Sequence, residues 1–148
     1  SEMKTFFHGH SYTGNQLGCA VALENLAMFE EMDVVGQVAK KSSYVQKELQ
    51  RLEHLTHVGE VRQRGFMVGI ELVQDKGTRE AFSSDERMGY EVTLEMRRRG
   101  LLSRPMGDVL VFMPPLCSTE TELKDMIQIM EAAIHHTTEA KQFAIHQR

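Results

Sequence analysis

The sequence predicts an α+β fold: a small, mainly antiparallel sheet covered by helices on one face. Three observations carry it. Two pairs of short strand-like runs each meet at a glycine-bearing turn, and amphipathic helical stretches stand before, between and after them. The strict strand–helix alternation of a doubly wound nucleotide-binding sheet is absent, and the glycines miss the G-x-G-x-x-G and P-loop spacings. At 148 residues the chain has the length for one core of ordinary size.

From Asn15 to about Met32 the pattern is helical, with Leu17, Val21, Leu23, Leu26, Ala27 and Phe29 apolar on nearly all sides. Such a helix needs cover on most faces, which implies protein beyond a small domain or a partner subunit. Asp33 reads as the N-cap of a second helix whose face is Val34, Val38, Val45, Leu49 and Leu52. Residues 57–63 and 66–73 read as a hairpin turning at Arg64-Gly65, with Phe66, Val68, Ile70 and Leu72 alternating with Met67, Gly69 and Glu71. Residues 76–85 are polar and read as a loop, and residues 87–99 as a helix stopped by Gly100. Residues 101–104 and 109–113 form a second strand pair, linked by Pro105-Met106-Gly107-Asp108 and ended by Pro114-Pro115. Thr119 and Glu122 make a capping box for a last helix facing inward with Leu123, Met126, Ile127, Met130 and Ile134. Beyond about His136 the pattern fades into a polar tail, expected to fray.

A net charge of −4 with 26% charged residues describes a globular chain with no basic excess for nucleic acid. Arg97-Arg98-Arg99 follows Glu91 and Glu95 at helical spacing and reads as a solvated helix end. No apolar stretch approaches the roughly 20 residues of a membrane span, and no signal-peptide pattern opens the chain. Cys19 and Cys117 lack zinc-site spacing and are expected as buried free thiols of a reducing cytoplasm.

Two places carry candidate chemistry. The run Phe7-His8-Gly9-His10-Ser11-Tyr12-Thr13-Gly14-Asn15-Gln16-Leu17-Gly18-Cys19-Ala20 sets hydroxyls and backbone amides beside a helix start, which suits an anion such as a phosphate. Its hydroxyls could equally be caps for the helix at Asn15. His8 and His10 form an H-x-H pair, but the glycine between them and the lack of a third ligand disfavour a metal. The second place is Arg104, at a strand end and followed by Pro105 and a glycine turn. A guanidinium held there suits a carboxylate, with a surface salt bridge as the plain alternative.

These segments resemble the class III aminotransferases, which use pyridoxal 5′-phosphate (PLP). The HG-x-[ST]-[YF]-x-GN stretch is matched at residues 8–15, with Gln16 departing from the more widespread GNP. The run Arg104-Pro105-x-Gly107, continued by Pro114-Pro115-Leu116, matches a second family segment in order and distance. Gly59-Glu60-Val61-Arg62-x-x-Gly65-Phe66-Met67-x-Gly69-Ile70-Glu71-Leu72 is similar to the first hairpin of the family's small C-terminal domain.

The resemblance reaches to about His136 and implies the C-terminal domain of a fold type I PLP enzyme. It assigns Ser11, with the backbone of His10, to the cofactor phosphate, Gly9 to the substrate site and Arg104 to the substrate carboxylate. It also implies small-molecule substrates and a homodimer with the site at the subunit interface. Residues 1–33 would be an interface segment and helix leading from a large domain, 34–136 the small domain and 137–148 a tail. None of Lys4, Lys40, Lys41, Lys47, Lys76, Lys124 and Lys141 has the setting of the cofactor-bonding lysine, which in the family precedes the HG motif. The chain alone is therefore expected to be inactive. An ω-amino acid or acetylornithine-type transaminase, or a non-catalytic α+β binding module, are the other readings.

Overall fold

The computed structural model describes residue 4 and residues 8–145, with side chains described as far as residue 139. Phe7 of the first motif and residues 146–148 of the expected tail lie outside the described residues. The chain divides into two compact units, residues 1–35 and 36–148.

In the first unit, helix α1 (Gln16–Glu31) starts at Asn15, whose side chain accepts from Gly18 N at 2.9 Å. This is ordinary N-capping of one of the amides a helix start leaves unpaired. None of the helix's residues is buried. Leu17 is 75%, Leu23 69% and Leu26 61% exposed, so the apolar surround expected from the sequence is uncovered. Cys19 shares that exposure, and Cys117 is exposed too. Both thiols are free, but neither is buried as expected. Asp33 has φ 45°, a left-handed link rather than the extended backbone of an N-cap.

The second unit holds the core. Helix α2 (Val34–Leu49) supplies Val45 and Leu49 to it, and Leu52 follows from a short 3₁₀ turn. Strands β1 (Val58–Arg64), β2 (Met67–Leu72), β3 (Pro105–Met106) and β4 (Val109–Phe112) form one antiparallel sheet in the order β1-β2-β4-β3. Val68, Ile70, Leu72, Leu110 and Phe112 are buried on one face, while Met67, Met106 and Met113 stay exposed. Helix α3 (Met88–Arg98) adds Met88, Val92 and Met96, and α4 (Glu120–Ile145) adds Leu123, Ile127, Met130 and Ile134. The period-two and period-3.6 patterns thus meet in one layer between sheet and helices.

Three boundaries differ from the sequence reading. The first turn is Gly65-Phe66, closed by the Arg64↔Met67 pair, one residue later than expected. Gly65 and Gly107 each take the first central position of a two-residue turn at φ 61°, where a side chain would be strained. The second hairpin closes at Met106↔Val109, so β3 falls within the expected linker and residues 101–104 lie outside any strand. A proline is tolerated there because β3 is a sheet edge. Finally, α4 does not stop near His136. Thr138 is buried, its hydroxyl donating to Ile134 O at 2.8 Å, so a polar residue that reads as tail belongs to the packed face.

Candidate functional site

The loop before α1 is organised by its own polar atoms. His10 N donates to Thr13 Oγ1 at 2.9 Å, Thr13 N to His10 O at 3.0 Å, and Asn15 N to Tyr12 O at 3.1 Å. Tyr12 N donates to His10 Nδ1 at 3.2 Å, so the His10 ring supports the loop. The rings of His8 and His10 meet edge to face, 6.3 Å between centroids. The helix cap is Asn15, which decides against Ser11 as that cap.

Ser11 is exposed, and no bond joins its hydroxyl to any other described residue. Nothing lies within 4 Å of a Cβ placed on Gly9. A hydroxyl donor beside an open glycine and a helix start fits a phosphate group. The Ser11 hydroxyl therefore fits PLP at its phosphate end, while the His10 amide is engaged with Thr13 Oγ1 within the loop.

In the second unit, Arg104 lies immediately before β3 on a mostly apolar cleft of about 410 Å³. Leu101, Leu102, Phe112, Met113, Pro114 and Met126 contribute its walls. Arg104 is exposed and forms no ion pair with any described residue, so the salt-bridge alternative is not what the structure shows. A planar cation facing apolar walls suits a ligand with a carboxylate and an aliphatic body.

The adjoining hairpin is held firmly. Gly89 N donates to Asp108 Oδ1 at 2.9 Å, and a Cβ on Gly89 would sit 2.3 Å from Gly107 O. Only glycine permits that approach of α3 to the β3–β4 turn.

A larger cleft of about 610 Å³, lined by Leu55, Arg99, Gln128, Glu131 and His135, is chemically quieter. Its arginine and glutamate charges are paired, Arg99 with Glu95 at 2.8 Å and Glu131 with Arg51 at 3.3 Å, and His135 Nε2 lies 3.0 Å from Glu139 Oε1. Glu95 also accepts from Arg98 Nη1 at 3.1 Å. Bonds from Arg98 and then Arg99 hold its carboxyl below the ordinary glutamate range, against the opposing effect of burial. Arg98 and Arg99 thus share Glu95, and the three arginines form an exposed helix end, as expected.

Residues 1–134 match the family described as Aminotransferase class-III. The chain belongs to that family. Class III aminotransferases are PLP-dependent, and the α+β architecture is that of the corresponding part of solved PLP aminotransferases. The chain is 55% identical over 141 residues to adenosylmethionine-8-amino-7-oxononanoate aminotransferase of Anoxybacillus flavithermus, covering 95% of this chain and 31% of that protein. The crystal structure of the protein of that name from Methanocaldococcus jannaschii aligns with TM-score 0.83 and 44% identity, over 91% of this chain and 31% of that one. An (S)-enantioselective omega-transaminase from Thermomicrobium roseum aligns with TM-score 0.83 at 35% identity, over 91% and 30% of the two chains. The chain spans about 31% of the length of the first of these relatives.

Of the residues singled out in the sequence, Gly9, His10 and Ser11 share one loop, while Arg104 belongs to the other unit. Sequence reasoning missed Ser103, whose hydroxyl donates to Val111 O at 2.5 Å beside Arg104. Its signal was a small hydroxyl residue adjoining the arginine in a segment otherwise read as strand.

Proposed function

We propose that this chain is the C-terminal portion of an adenosylmethionine-8-amino-7-oxononanoate aminotransferase. The whole enzyme would transfer an amino group to 8-amino-7-oxononanoate, giving 7,8-diaminononanoate for biotin synthesis. S-adenosyl-L-methionine, named in the relatives, is the donor in this reading. The reading includes a cytoplasmic homodimer with its site at the subunit interface. Among the described residues no helix is long and apolar enough to cross a membrane.

The identity of 55% over nearly the whole chain carries the proposal, against 35% for the omega-transaminase. When bound, PLP supplies the electron sink for amino transfer. The Ser11 hydroxyl would hold its phosphate, with the His10 backbone, whose amide bonds Thr13 Oγ1, shaping the loop beside it. Gly9 would leave room for the substrate, and Arg104 would pair with the substrate carboxylate while the cleft walls shelter its aliphatic chain.

The decisive test is made in the full-length enzyme. Charge-assisted hydrogen bonds contribute roughly 1.5–3 kcal/mol. Arg104→Lys, which keeps charge but loses the fork, should therefore lower kcat/KM for 8-amino-7-oxononanoate on the order of 10- to 100-fold, and Arg104→Ala further. PLP retention should stay unchanged, whereas Ser11→Ala should weaken it. Equal slowing by Arg104→Ala of the substrate and of an analogue lacking the carboxylate would refute the assignment.

In this reading the isolated chain has no cofactor-bonding lysine. Lys41 is already engaged with Ser118 O at 2.8 Å, and Lys76 bonds Glu53 O. Adding PLP to it and reducing with borohydride should label no single lysine, which peptide mapping would check.

A further inference from the structure

We propose that Ser103 is the positioning residue for Arg104, fixing the approach of its guanidinium to the apolar cleft. The inference rests on Arg104 taking the substrate carboxylate. Residues 101–104 lie outside any strand, and the pairing of β3 with β4 goes back only to Pro105↔Leu110. Leu101 N is bonded to Met96 O at 2.9 Å, which ties the start of the segment to the end of α3. Near its other end the half-buried Ser103 donates its hydroxyl to Val111 O at 2.5 Å. That bond fastens the segment to β4 one residue before the arginine, and Val111 itself lines the cleft.

A long, exposed side chain gains binding strength when its backbone is held, because less freedom is lost on pairing. Ser103 therefore acts on the carboxylate through Arg104 and without touching the substrate.

The test is a double-mutant cycle in the full-length enzyme, with 8-amino-7-oxononanoate and an analogue lacking the carboxylate. Loss of one neutral hydrogen bond corresponds to about three- to tenfold. Ser103→Ala should raise KM for the carboxylate substrate by about that factor with little change in kcat. It should move the analogue less than twofold, and Ser103→Thr should restore the parent value. In an Arg104→Ala background, Ser103→Ala should add nothing. Should the alanine variant fold poorly, Ser103→Cys, close in size with a weak donor, takes its place.

Equal losses on both substrates, or a full additional loss in the Arg104→Ala background, would overturn the positioning role while leaving Arg104 as the carboxylate site. Failure of Arg104→Ala to discriminate between the substrates would instead overturn the parent reading, and this inference with it.

Discussion

Helices α1 and α4 are both rich in apolar residues, yet they end in opposite environments. Leu123, Met126, Ile127, Met130 and Ile134 recur at three- and four-residue steps, and four of the five are buried. The apolar residues of α1 run round the helix, and none is buried. A single stripe can be satisfied by one sheet face, whereas a helix apolar on all sides exceeds what a small unit can cover. Apolar content alone therefore says little about burial within this chain, and the arrangement around the helix decides it. The contrast agrees with a chain that spans about 31% of the length of its relative.

The sharpest way to break this comparison is truncation on each side. Leu110, on β4 between β2 and β3, is fully buried in the core, so Leu110→Ala should cost about 2–5 kcal/mol in denaturant unfolding of the chain. Leu26→Ala, made on an exposed face, should stay within about 0.5 kcal/mol. Comparable losses from the two would mean that α1 is buried in solution.

What was legible follows the same division. The inward faces of β2, α2 and α4 could be read from periodicity because each packs on one side only. The capping box at Thr119 could be read because its partners are three residues apart. Boundaries set by tertiary fit could not. The strand at Pro105 depends on a turn closing at Gly107-Asp108, and the extension of α4 goes with the burial of Thr138 against the rest of the unit. At the candidate site, Ser11 and Arg104 were visible as residue types in a spaced pattern. The clamp by Ser103 was not, because its acceptor is a backbone carbonyl that no side-chain pattern reveals.

A finer comparison uses two caps of like chemistry. Thr119 Oγ1 accepts from Glu122 N, and Glu122 Oε2 accepts in return from Thr119 N at 2.8 Å. Asn15 caps α1 in the simpler way. Thr119→Ala should lower global stability by about 1 kcal/mol, because α4 is part of the core. Asn15→Ala should reduce helical circular dichroism without shifting the main unfolding midpoint. A midpoint shift of equal size in both variants would show that α1 unfolds together with the sheet unit.

The smallest effect is an electrostatic one confined to the sheet unit. The Glu95 carboxyl titrates below its unfolded value because Arg98, then Arg99, hydrogen-bond it, with the charge of His136 adding to them. A depressed folded pKa means that the unfolded chain binds the proton first. The stabilisation is therefore complete above the ordinary glutamate range near 4.3 and is lost as pH falls below it, through the folded value. Glu95→Gln should flatten the fall in unfolding midpoint between about pH 5 and pH 3, the window set by that range. It should make little difference to the shape of the profile at neutral pH. Because Glu95 and the groups that act on it, on the end of α3 and on α4, all belong to the sheet unit, the helical signal of α1 should follow the same pH course in parent and variant. A change in that signal with Glu95→Gln would couple the unfolding of the two units.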